Sequence, residues 1–149
     1  MSGVVVSDST CLIGLERIQC LDLLPAVFAE VIVPPAVARE FGMALEWLKV
    51  QAPRDAACVA ALGVMVDPGE AEAIALALEL NCEVILDDLQ ARRLAARQNV
   101  KCLGLLGVLL RAKVGGRLPA IRPVVEALRR ERFFISQPLV AEALRLAGE

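Results

Sequence analysis

The feature that most restricts this chain is an alternation. Three short apolar runs, VVV at 4–6, VIV at 31–33 and VIL at 84–86, each give way at once to a helix start signal. Val and Ile favour extended backbone, and runs this short cannot fill a helix. The signals that follow are Asp8-Ser9-Thr10, Pro34-Pro35 and Asp87-Asp88. The pattern predicts strands over 3–7, 30–35, 82–88 and 100–104, with an edge strand around 47–50. Helices are expected over 10–20, within 21–30, and over 35–42, 54–63, 67–81, 88–99, 105–113, 118–130 and 137–146. Strands separated by helices make a mainly parallel α/β sheet covered on both faces. No repeat, linker or low-complexity tract interrupts it, so residues 1–149 read as one domain.

Composition narrows the chemistry. There is no histidine, and the five cysteines, Cys11, Cys20, Cys58, Cys82 and Cys102, form no CxxC pair. Zinc-finger, His-ligated zinc and Cys–His nucleophile sites are thereby excluded. The thiols read as reduced, mostly buried packing groups. Acid–base or metal chemistry falls to carboxylates. The longest nearly apolar run, at 102–110, is too short for a membrane span of ~20 residues. The first ten residues carry no signal-peptide pattern, which gives the expectation of a cytoplasmic protein.

Charge is unevenly spread. Residues 1–88 hold 4 Lys+Arg against 14 Asp+Glu, a net of −10, and residues 89–149 hold 12 against 4, a net of +8. An acidic half and a basic half suit a cation on one side and a polyanion on the other. The competing explanation is that the two halves pair with one another.

Five acids stand apart from the rest. Asp8 ends the first strand, where an open α/β sheet places its active site; Ser9 or Thr10 could cap the following helix in its stead. Glu40 lies on the helix after the second strand. Glu72 lies one turn into a helix that is almost wholly apolar, so its carboxylate needs a partner or a metal. Asp87 and Asp88 end the strand at 84–86. Asp87 with Gln90 reads as a capping box, which leaves Asp88 as the better ligand. Glu70 is explained by a capping box with Asp67 and is left out of the site. Clustered carboxylates without His or Cys suit Mg²⁺ or Mn²⁺, ions that can activate water against a phosphodiester. Arg92, Arg93, Arg97 and Lys113 are the candidate phosphate contacts.

Taken in order, VVSDSTCLIGLERI, VIVPPAVAREFG, GEAEAIALALEL and VILDDLQARRLA resemble the acidic elements of PIN-domain nucleases. The later stretch LGLLGVLLRAKVGG is similar to the small prokaryotic VapC-like toxins of that family. The resemblance implies a three-layer α/β/α fold with sheet order 3-2-1-4-5. It further implies metal-site roles for Asp8, Glu40, Glu72 and Asp88, with Asp87 as the alternative to Asp88. Mg²⁺- or Mn²⁺-dependent endoribonuclease activity, a homodimer and a blocking antitoxin complete the expectation. A non-catalytic PIN-like module binding RNA or protein is the rival. A phosphatase of the haloacid-dehalogenase type needs an acid where Thr10 stands, and no GxxxxGK[ST] or GxGxxG motif occurs.

Overall fold

The computed structural model describes residues 2–149. Five strands form one sheet: β1 (Ser2–Ser7), β2 (Phe28–Val33), β3 (Leu48–Val50), β4 (Glu83–Ile85) and β5 (Cys102–Leu103). Their order is β3-β2-β1-β4-β5, and every pairing is parallel. Between and after them run α1 (Ser9–Arg17), α2 (Leu23–Val27), α3 (Pro35–Phe41), α4 (Ala56–Leu62), α5 (Pro68–Leu80), α6 (Leu89–Arg97), α7 (Leu105–Val114), α8 (Arg122–Arg130) and α9 (Gln137–Leu146). The expected sheet order is the one found.

Side chains alternate across the strands and build two cores. Val5, Val31, Val33 and Ile85 pack on one face with Leu12, Leu15, Leu109 and Leu128, from α1, α7 and α8. Val6, Ile32 and Val84 pack on the other with Ile74, Leu76 and Leu94, from α5 and α6. The result is a three-layer α/β/α sandwich with β1 at its centre. Two boundaries differ from the sequence pattern. β2 starts at Phe28, whose ring is fully buried, so the apolar end of the 21–30 segment is already strand. The helix expected from 118 begins at Arg122, because Pro123 is tolerated only in a first turn, where its missing N–H has no intrahelical partner anyway.

Only Cys11 among the thiols is buried; the other four are half-buried, and all five are free. No helix among the described residues is long and apolar enough to cross a membrane. Because all five strands point the same way, their carboxyl ends share one edge. The chain leaves β1 toward β2 on one side, and β4 lies on the other. The gap between β1 and β4 is therefore the switch point at which open α/β sheets bind ligands.

Candidate active site at the carboxyl edge of the sheet

Asp8 occupies that gap. The residue is 5% exposed. Oδ1 accepts the Cys11 N–H at 3.0 Å, which makes Asp8 the N-cap of α1. Oδ2 accepts the Asp87 N–H, also at 3.0 Å, from the chain leaving β4. The backbone reciprocates, with Asp8 N–H donating to the Ile85 carbonyl at 3.0 Å. The cap does not come from Ser9 or Thr10, and capping does not exhaust Asp8. One carboxylate starts α1 and ties the two central strands together across the switch point.

Burial raises the Asp8 pKa from 3.8 to about 7. The two backbone N–H bonds oppose that rise, and the charges of Asp87 and Glu70 add to it. A buried acid held in this way gains from any cation brought close to it.

Asp8 opens onto a hollow of about 50 Å³, lined also by Ser9, Thr10, Val37, Glu40, Asp67, Gly69 and Glu70. Glu70 is the residue that sequence reasoning passed over. Its capping box with Asp67 is present: Asp67 N–H donates to Glu70 Oε1 at 3.2 Å, and Glu70 N–H donates to Asp67 Oδ1 at 2.8 Å. That box engages one oxygen of Glu70 and leaves the carboxylate facing the hollow. Desolvation raises the Glu70 pKa to about 7, with the Asp67 amide opposing and the charges of Asp67 and Asp88 reinforcing.

Glu72 goes elsewhere. Its Oε1 accepts the Ala36 N–H at 3.1 Å, at the start of α3. The reason lies in the two prolines. Pro34 is the N-cap and offers no side-chain acceptor, and Pro35 has no N–H, so Ala36 carries the first free amide of that helix. The partner that a half-buried acid on α5 requires is thus a helix start, and Glu72 does not line the hollow with Asp8.

At 87–88 the cap falls on the second acid. Asp88 caps α6, its Oδ2 accepting the Ala91 N–H at 3.0 Å, so the Asp87–Gln90 capping box is not formed. Asp87 instead gives its amide to Asp8 and keeps its carboxylate for the second hollow described below. Burial and Asp88 raise its pKa, while Arg92 pulls it down.

The basic candidates separate by helix polarity. Arg92 lies near the carboxyl edge, with its guanidinium against Gly104 at the start of α7. Arg93 and Arg97 line a shallow depression with Met65 and Gln90 on the outer side of α6. Lys113 does not join them. It lies in the last turn of α7, which starts at the carboxyl edge and runs back to the far one. There its Nζ is held by the Ala147 carbonyl at 2.6 Å and Glu149 Oε2 at 2.9 Å. Of the four ion pairs among the described residues, only Arg111–Glu83 joins the basic half to the acidic one. Mutual pairing of the halves therefore explains little of the charge split.

Asp8, Glu40, Glu70 and Asp67 offer only oxygen around a space large enough for a few water-sized species, which is the donor chemistry of Mg²⁺ or Mn²⁺. Among the described residues no three such side chains converge into a ready coordination shell. Glu40 and Glu70 are flexible enough to close on an ion. Gly69 keeps room for that movement, since a Cβ there would sit 2.7 Å from Glu40 Oε1. Gly69→Ala is accordingly expected to displace the Glu40 carboxylate and cut activity about tenfold or more. Thermal stability should hold or rise slightly, because alanine suits a helix better than glycine by roughly 0.5–1 kcal/mol. Activity and melting temperature measured on this one variant check the claim, and full activity would detach Glu40 from the site.

A family model described as a PIN domain matches residues 4–149. No curated protein matches the chain.

Proposed function

The chain belongs to the PIN-domain family, and on that premise we propose that it is a Mg²⁺- or Mn²⁺-dependent endoribonuclease acting through Asp8, Glu40 and Glu70, with Asp87 or Asp88 from the adjoining hollow as the fourth acid. The observation that carries this reading is Asp8. A carboxylate this deeply buried, at the switch point of a parallel sheet and surrounded by like charges, is costly to keep unless a cation uses it. Family membership supplies the nuclease chemistry; the donor set supports the hard divalent ion.

When bound, such an ion would acidify a water and offset charge on the phosphodiester. The protein's own groups do the rest. Asp8, fixed by two amides, sets the position of the site. Glu40 and Glu70 approach from α3 and α5 and adjust to it. Glu70 faces the hollow with an oxygen that its capping box does not use, and can orient a water there. Arg92 lies beside Asp87 and supplies positive charge for a phosphate.

The resemblance of the α7 segment to VapC-like proteins extends the proposal to a cytoplasmic, homodimeric toxin that a cognate antitoxin holds inactive. The rival, a non-catalytic RNA- or protein-binding module, keeps the fold without the chemistry. One experiment separates them. Purified protein should cleave single-stranded RNA with Mg²⁺ or Mn²⁺, stop in EDTA, and resume when the ion is returned in excess. Cleavage that persists undiminished in EDTA excludes the metal mechanism, and no cleavage with either ion favours the binding module.

A further inference from the structure

A second hollow, of about 410 Å³, adjoins the acids and shares Thr10 with the first. Asp87, Asp88 and Leu89 line it together with Arg17, Arg132, Phe133 and Phe134. We propose that this hollow is the landing for a single-stranded nucleic-acid segment. Phe134 stacks on an unpaired base, and Arg17 and Arg132 hold the adjoining phosphates. The inference rests on the nuclease reading for its direction toward the acids, though not for the binding itself.

Phe134 is 85% exposed, while Phe28 and Phe41 are buried and Phe133 and Trp47 are half-buried. A single exposed apolar side chain is ordinary on a protein surface; Phe134 stands apart because it lines a hollow together with two arginines. The local backbone is built to hold it out. α8 ends in a paired closing turn, with Arg132 N–H on the Arg129 carbonyl at 3.0 Å and Phe133 N–H on the Leu128 carbonyl at 2.9 Å. The Phe133 ring and the Leu128 side chain both pack over Gly14 of α1, where a Cβ would meet the ring at 2.8 Å. With Phe133 anchored inward, Phe134 is left on the hollow side.

Arg132 has φ of 63°, the left-handed position where glycine is cheapest. A cation kept there at conformational cost is placed for its charge. Neither Arg17 nor Arg132 takes part in an ion pair among the described residues. Two cations, an exposed ring and an acidic centre beyond them match the composition of a single strand, which offers phosphates and π-faces together. A double helix presents no free base face, and an apolar peptide would leave the arginines without partners.

The test measures dissociation constants for a short fluorescein-labelled single-stranded RNA by anisotropy, without divalent ion so that the probe stays intact. Phe134→Ala should weaken binding about tenfold, and Phe134→Trp should restore it. Binding of the same sequence as a duplex should not respond to either change. Arg132→Gly, combined with Arg17→Gln, should weaken binding and flatten its salt dependence, while the melting temperature holds because glycine suits that backbone. Equal weakening with single-stranded DNA supports the assignment, since stacking reads the base and not the sugar.

Unchanged single-strand affinity in Phe134→Ala overturns the proposal, as does equal weakening toward duplex. Loss of self-association or of a protein complex, with RNA affinity intact, reassigns the ring to a protein interface. The two readings fail separately. RNA cleavage by the unmodified protein with a Phe134-independent affinity removes this inference alone. Phe134-dependent binding without cleavage removes the nuclease reading alone.

Discussion

Asp8→Asn should fold normally and lose more than ~100-fold in RNA cleavage. Residues that only orient metal ligands cost about 10–100-fold when replaced, and Asp8 is placed as a ligand itself. Asparagine preserves the cap, because its carbonyl oxygen still accepts the Cys11 N–H. It cannot accept the Asp87 N–H as well if its amide nitrogen faces that donor, so one hydrogen bond to a charged acceptor, worth roughly 1.5–3 kcal/mol, is lost. Against this stands the cost of burying the charge. A pKa raised from 3.8 to about 7 amounts to about 4 kcal/mol of lost stability once the carboxylate is ionised. The two effects are of similar size, so the variant should melt near or above the parent at pH 8.

The sign fixes the pH dependence. The folded state holds the Asp8 proton more tightly than the unfolded chain, so this stability is present below about pH 4 and is lost as the pH rises to about 7. Without divalent ion, melting temperature should fall with rising pH across that window, and Asp8→Asn should make the fall shallower. Parallel melting curves for parent and variant at several pH values decide it. Identical slopes would mean that Asp8 is ionised throughout and that its burial is compensated by other groups.

Much of this arrangement is legible in the residues. β-branched runs closed by Asp, Pro or Gly give the strands, and Pro35 with Gly42 brackets α3, the glycine ending the helix at φ 75°. The sheet order came through family resemblance, because local propensity carries no information about which strands lie side by side. Asp8 was visible as a strand-end acid, though its two amide partners were not; one of them arrives from a residue 79 positions away.

Where the acids depart from the sequence pattern, the cause is helical phase. At Asp87-Asp88 either acid could begin α6. The choice is made by burial of Ala91, Leu94 and Ala95 against the sheet, which leaves Leu89 59% exposed and puts the cap on Asp88. In α5 the run AIALALEL is almost wholly apolar, so no amphipathic stripe shows which way Glu70 and Glu72 point. Glu70 and Glu72 are two residues apart and must face different directions on a helix. The sequence states that alternative without resolving it. Lys113 departs for a different reason: charge alone groups it with the arginines, and helix polarity sends it to the opposite edge.

That unresolved pair gives the sharpest contrast in the molecule. Glu70→Gln should keep its fold, since glutamine can serve as acceptor in the capping box with Asp67. Activity should nevertheless fall by about 100-fold or more, because the change removes the titratable carboxylate that lines the hollow with Asp8. Glu72→Gln should behave oppositely. Its side-chain oxygen still accepts the Ala36 N–H, so activity should remain within a few-fold of the parent. Glu72→Ala removes the acceptor and leaves the first free amide of α3 without it, at a cost of roughly 1–3 kcal/mol. Loss of a helix cap of this kind should lower the melting temperature, with activity per folded molecule largely kept. Activity and melting temperature, measured on these three variants, test the contrast. Full activity in Glu70→Gln together with a dead, well-folded Glu72→Gln would exchange the two residues, returning Glu72 to the metal site and Glu70 to capping alone.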